Sequence, residues 1–123
     1  MTSTELAAWR RQLVALRQRL AGDVASLTEE TLNPGQEGAG NLSHVPTHLA
    51  DLGTDAFERQ VSLRLLQSEG HTLAEIDAAL GRLGRGAFGR CEGCQQDIPR
   101  ARLRAMPYTR YCVGCAGRLQ DRP

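Results

Sequence analysis

The sequence predicts an all-α protein, an antiparallel helical coiled-coil hairpin with a small four-cysteine module at its base. Three observations carry that expectation. Two stretches, residues 3–31 and 54–83, repeat apolar residues at helical spacing. A break rich in Gly and Pro, residues 32–53, separates them. All four cysteines fall after the second stretch, as Cys91–Cys94 and Cys112–Cys115. The chain therefore divides into a hairpin over residues 1–83 and a module over 84–123, the latter ending in a short helix.

The first helix has its apolar residues at Leu6, Trp9, Leu13, Leu16, Leu20, Val24 and Leu27, a mostly 3-4 alternation that makes one seam. Thr2 with Glu5 has the form of a capping box at its start, and Asn33-Pro34-Gly35 ends it. Gly22 weakens the interior by about 1 kcal/mol relative to alanine. The break that follows is long for a helix connection, which marks it as functional or only partly ordered.

Thr54 is a good N-cap for the second helix, with Asp55 in its first turn. The apolar set there is Ala56, Phe57, Val61, Leu63, Leu65 and Leu66, then Leu73, Ile76, Ala79, Leu80 and Leu83. Gly70 interrupts the stretch, and Thr72 with Glu75 offers a cap for a fresh start. One helix to about Leu83 is favoured over two, with Gly70 as the place for any kink. Similar lengths, a seam on each and one connection make an antiparallel hairpin the expected pairing.

In the module, seventeen residues separate the two Cys-x-x-Cys pairs, a spacing suited to a four-thiolate zinc site. Two intervening residues let a tight turn aim both thiolates at one metal. Gly93 and Gly114 each precede the second cysteine of a pair, where a small residue lets backbone N–H groups approach the sulfurs. With four thiolate ligands the metal has no open position, so the zinc is structural. The competing reading is a redox pair or two disulfides. Disulfides need an oxidising compartment, and the N-terminus alternates charged and apolar residues without the apolar run of an export signal. A cytoplasmic location is expected.

Totals narrow the class further. With 123 residues and 4% aromatic content, a long helical pairing plus a metal staple is the economical way to fold. No apolar run approaches a membrane span. All 15 basic residues are arginine, and the net charge of +1 hides an asymmetry. From Leu20 to Glu58 stand Asp23, Glu29, Glu30, Glu37, Asp51, Asp55 and Glu58 without one arginine. From Arg82 to Arg122 arginines dominate. An acidic hairpin tip favours a basic partner or a metal-containing cleft.

The run GAFGRCEGCQQDIPRARLRAMPYTRYCVGC closely resembles the zinc finger of the DksA/TraR family. Gly86, Gly89, Ile98, Arg102, Leu103, Ala105 and Pro107 stand at that family's positions together with the four cysteines, while Phe88 replaces its usual tyrosine. The resemblance is strong over residues 73–115 and weaker over the hairpin. It implies a bacterial transcription regulator that binds RNA polymerase directly, as a monomer and without sequence-specific DNA contact. Its hairpin would enter the polymerase secondary channel, where tip acids act near the catalytic magnesium, with the alarmone ppGpp as a co-effector in many members. The best-known members carry Asp-x-x-Asp-x-Ala at the tip, whereas NLSHVPTHLADLGTDAFER resembles a branch of the family with a glycine-rich extension before His-x-Ala-Asp-Leu. Here Asp51 and Ala56 have the right separation, but Thr54 stands in place of the second aspartate and Asp55 follows one residue later. No alarmone-binding residue is carried over.

Other features have quieter readings. Asp51 and Asp55 also suit a helix N-terminus. His44 and His48 flank Pro46 and read as loop histidines before a metal pair. Arg100, Arg102 and Arg104, with Tyr108, Arg110 and Tyr111, form a candidate basic patch for nucleic acid, phosphates or a protein rim. No nucleophile–base pair, phosphate loop or paired carboxylates are visible, so an enzyme is not expected. The rivals to polymerase regulation are a zinc-finger interaction adaptor and a nucleic-acid-binding zinc ribbon.

Overall fold

The computed structural model describes residues 1–32 and 49–121, with backbone only for residues 32 and 49–52. Four helices follow in order: α1 (Ser3–Leu32), α2 (Leu49–Gly84), α3 (Arg100–Ala105) and α4 (Val113–Gln120). Among the described residues there is no strand, only an isolated antiparallel bridge between Arg90 and Asp97. The architecture is an antiparallel helical hairpin with a four-cysteine module. His44 and His48 lie outside the described residues.

The capping box forms as the sequence predicts. The Glu5 N–H donates to Thr2 Oγ1 at 3.2 Å, and the Thr2 N–H donates back to Glu5 Oε2 at 3.3 Å. The second helix departs from expectation at its start. It begins at Leu49, so Thr54 is an interior residue and not the N-cap, and residues 49–53 are helix, not loop. Leu49, Ala50 and Leu52 are good helix formers, and Gly53 is tolerated at about 1 kcal/mol. Past Gly70 the expectation holds, and α2 is one helix and not two. The helix runs through Gly70, and Thr72 Oγ1 donates to the Ser68 carbonyl one turn back at 3.1 Å instead of capping a new segment.

The chain packs as two compact units, Met1–Gln18 with Leu73–Pro123, and Arg19–Thr72. In the first unit, Arg17 pairs with Asp77, while Trp9 meets Phe88, just beyond the end of α2, at a ring separation of 5.8 Å. Falling numbers on α1 thus face rising numbers on α2, which makes the pair antiparallel. Leu13, Ile76 and Ala79 are fully buried there, and Leu83 nearly so. A second cluster of Cys91, Ile98, Leu103 and Cys115 has Trp9, Phe88 and Tyr111 packed against it. Trp9 of α1 thus joins the base of the hairpin to the module's cluster.

In the second unit the seam predicted for α1 holds, with Leu20, Val24 and Leu27 half-buried. The seam predicted for this part of α2 does not. Phe57 is 65% exposed, and Ala56, Val61, Leu63 and Leu65 are exposed too. Of the predicted set only Leu66 is half-buried, in company with the polar Asp55, Ser62 and Glu69. The reason is helical phase. Counting back from buried Ile76 by threes and fours reaches Leu73, Glu69, Leu66, Ser62 and, two further steps on, Asp55. An unbroken helix keeps the phase set at its strongly packed end, so polar residues inherit the inner face and the apolar set turns outward.

Candidate metal centre

Each cysteine is placed by local backbone chemistry. Around the first pair the chain makes a small antiparallel turn. The Ile98 N–H donates to the Gly89 carbonyl and the Cys91 N–H to the Gln96 carbonyl, both at 2.8 Å. Gly89 has φ +83°, a backbone conformation that an L side chain rarely adopts, and it lets the chain enter this turn. Gln95 takes a positive φ of 64° at the turn's far side, its side-chain amide donating to the Glu92 carbonyl at 3.2 Å. The second pair is carried by a helix start. Cys112 is the N-cap of α4, and Cys115 lies in its first turn.

The two pairs are bound together by the sulfur of Cys91. It accepts the N–H of Gly93 and the N–H of Cys112, each at 3.3 Å. The Glu92 N–H donates to the Arg110 carbonyl at 2.8 Å, closing the same junction. Gly93 is needed for space. A Cβ there would lie 2.9 Å from Cys115 Sγ, so any larger residue would displace a ligand. The same reasoning fails at Gly114, where a Cβ would meet nothing within 4 Å. Of the two glycines singled out by position, one is required by the close approach of a sulfur.

All four cysteines are free thiols, and their sulfurs lie within 4.8 Å of one another. A zinc–sulfur bond of about 2.3 Å implies tetrahedron edges of about 3.8 Å. The Cys94 and Cys112 sulfurs are 3.9 Å apart. The donor set, its size and the two backbone donors on one sulfur fit one structural Zn²⁺ held by Cys91, Cys94, Cys112 and Cys115. The ion would supply a fixed crosslink between the knuckles and no open coordination position.

Protonation follows the geometry. Burial opposes ionisation of Cys91, but the N–H groups of Cys112, Cys94 and Gly93 outweigh it and lower its thiol pKa to about 6. At Cys115 the Arg118 guanidinium favours the thiolate. Its hydrogen bond with Cys91, its burial and the neighbouring sulfurs win, and raise its pKa to about 11. The backbone N–H groups on Cys91 thus favour its thiolate, the form in which a cysteine binds zinc.

Arginines lock the module to the helices. Arg82 is only 4% exposed and donates from Nη2 to the Tyr108 and Thr109 carbonyls. Burial lowers its pKa. Arg110 bridges Glu75 of α2 and Glu92 of the first knuckle, at 2.6 and 3.3 Å. The sequence gives no sign of these contacts, and Glu75 has there only the form of a cap residue.

Of the predicted basic patch, two members are engaged within the fold. Arg100 makes a two-pronged pair with Glu5, both contacts at 3.1 Å, and lowers the Glu5 pKa. Arg102 donates to the Tyr111 carbonyl at 2.8 Å and also reaches Thr109 Oγ1. Arg104 is exposed and has no hydrogen bond or ion pair among the described residues. The predicted tip residues are in the other unit. Asp51 lies in the first turn of α2 with its side chain outside the described residues; Asp55 is half-buried and Ala56 exposed.

Residues 86–121 match the family model of the prokaryotic dksA/traR C4-type zinc finger. General stress protein 16O of Bacillus subtilis (strain 168) is 32% identical over 114 residues, covering 89% of this chain and 65% of that protein. The RNA polymerase-binding transcription factor DksA of Caulobacter vibrioides is 30% identical over 115 residues, covering 91% of this chain and 78% of that protein. Among solved structures, transcription factor DksA2 from Pseudomonas aeruginosa superposes with a TM-score of 0.76 at 29% identity. That match covers 96% of this chain and 84% of the other.

Proposed function

The chain belongs to the DksA/TraR family of C4-type zinc-finger proteins, and from that membership we propose that it binds RNA polymerase directly and regulates transcription. The observation that carries this reading is the likeness to RNA polymerase-binding DksA over nine-tenths of the chain, hairpin included. On this reading the hairpin enters the secondary channel and modulates initiation, with Asp51, Asp55 and Ala56 as the tip residues that act there. The zinc module gives the hairpin a rigid base and is not itself catalytic.

The surface supports a protein partner more than a nucleic acid. Arg100 and Arg102 are engaged internally, which leaves Arg104, among the described residues, as the unengaged member of the predicted triplet. Phe57, Val61 and Leu65, spaced by four, form an exposed apolar stripe on α2, a feature suited to a protein surface. The acidic residues 20–58 suit the basic lining of a channel through which an anionic substrate passes.

The test is binding of the purified protein to core RNA polymerase, with and without a competitor that occupies the secondary channel. Competition supports channel insertion. Binding without competition retains the polymerase as partner and removes the channel. Absence of binding at micromolar protein defeats the reading in favour of an adaptor for another protein. Given competition, Asp51→Ala/Asp55→Ala should keep zinc and fold yet lose its effect in a transcription assay.

A further inference from the structure

Arg118 stands against the metal centre, and nothing in the polymerase reading uses it. It lies one turn beyond Cys115 on α4, and its Nη2 donates to Cys115 Sγ at 3.1 Å. Four thiolates around one Zn²⁺ carry a net charge of about −2, which a nearby cation offsets. Cys91 already receives two backbone N–H groups. Among the described residues, no other side-chain cation is hydrogen-bonded to any of the four sulfurs. A cavity of about 400 Å³ opens on the same side, lined by Gly93, Cys94, Tyr111, Cys115, Arg118 and Leu119. Cys94, at this opening, is the exposed ligand of the four. The approach route to the sulfurs therefore passes the Arg118 guanidinium.

We propose that Arg118 is a positioning residue that sets how slowly zinc leaves this site. Its positive charge offsets part of the tetrathiolate charge, and its N–H occupies a lone pair on Cys115. That sulfur then stays fixed on the metal while the exposed Cys94 ligand opens and recloses. Without the guanidinium, two ligands facing the cavity are free to exchange, and a competing chelator captures the ion sooner.

The zinc-loaded full chain and its Arg118→Gln and Arg118→Lys variants are mixed with excess chromogenic chelator, and zinc release is followed. Partners of metal ligands typically change metal affinity by about 10- to 100-fold. Release from Arg118→Gln should be roughly tenfold faster, with Arg118→Lys between the two because lysine supplies the charge without the planar fork. In the cobalt-substituted proteins the thiolate-to-metal charge-transfer band should move to lower energy in Arg118→Gln, since the sulfur loses a hydrogen bond. Wild-type release with an unmoved band overturns the proposal. Equal acceleration in both variants, together with an equally lowered melting temperature, also overturns it by reducing Arg118 to packing.

Discussion

The two units of this protein are built from the same two helices and are held by different physics. In Met1–Gln18 with Leu73–Pro123, leucine, isoleucine and cysteine side chains are fully buried, and every ion pair among the described residues is found there. In Arg19–Thr72 no described side chain is buried, and the inner face carries Asp55, Ser62 and Glu69. Thr31 Oγ1 and Glu69 Oε2 are shielded from solvent there and have no hydrogen-bond partner among the described residues. Two facing helices lack the mass to close a core unless their inner residues are apolar. A third layer, here the metal-stapled module, makes the difference. Local stability should therefore fall from the first unit to the second.

Removing the staple should have the largest effect. Cys112→Ser is expected to lose stoichiometric zinc and unfold the module, because metal binding and folding are linked. Melting temperature and metal content check this; if both stay at wild-type values, the contrast between units does not depend on the metal. Truncating the seam should come next and should differ along α1. Leu13→Ala should destabilise by about 3 kcal/mol, through the lost transfer energy and the cavity left behind. Leu20→Ala, at a half-buried position in the second unit, should cost only about 1 kcal/mol by denaturant unfolding. Equal losses at the two sites would erase the contrast.

A smaller change should act in the opposite direction. Glu69→Leu replaces a half-buried carboxylate that has a shielded, unpaired oxygen and should stabilise the second unit by about 1 kcal/mol. Hydrogen exchange should show added protection confined to residues 53–72. Exchange unchanged there would mean that Glu69 is solvated and that the seam is less polar than its residues suggest.

The smallest effect concerns Glu5. Its carboxyl pKa is lowered by the Arg100 hydrogen bonds and the capping contact with Thr2. A carboxylate lowered in the folded state contributes stability above its unfolded pKa and loses it as pH falls through the folded value. The stability difference between wild type and Glu5→Gln should thus be present at neutral pH and shrink below about pH 4.5. The contact is exposed, so the difference should be small and diminish with salt. A difference that grows on acidification would reverse the assignment.

Much of the metal centre was legible in sequence because its information is local. Two Cys-x-x-Cys pairs at that separation name the four ligands by spacing alone, and Thr2 with Glu5 names the start of α1. The α1 seam was legible too, since Leu6 to Leu27 fall on one face wherever the helix packs. Arg82, Arg102 and Arg110 carried no such signal. Each meets backbone carbonyls or acids from 9 to 35 positions away, and an arginine that will be buried reads the same as one on the surface.

Sequence alone thus determined the two long helices, though neither the start of α2 nor the short α3, together with the cysteine tetrad, the asymmetry of charge and, through the finger motif, the family. Tertiary structure decided which face of α2 points inward. Composition suggested that Phe57, Val61 and Leu65 belong to the seam, because apolar residues at helical spacing favour burial. A continuous helix has only one rotational phase, however, and Ile76, Ala79 and Leu83 set it where burial is greatest. Their packing against α1 and the module outweighs the preference of a thinner segment, so Ser62 and Glu69 lie inside and Phe57 faces the solvent.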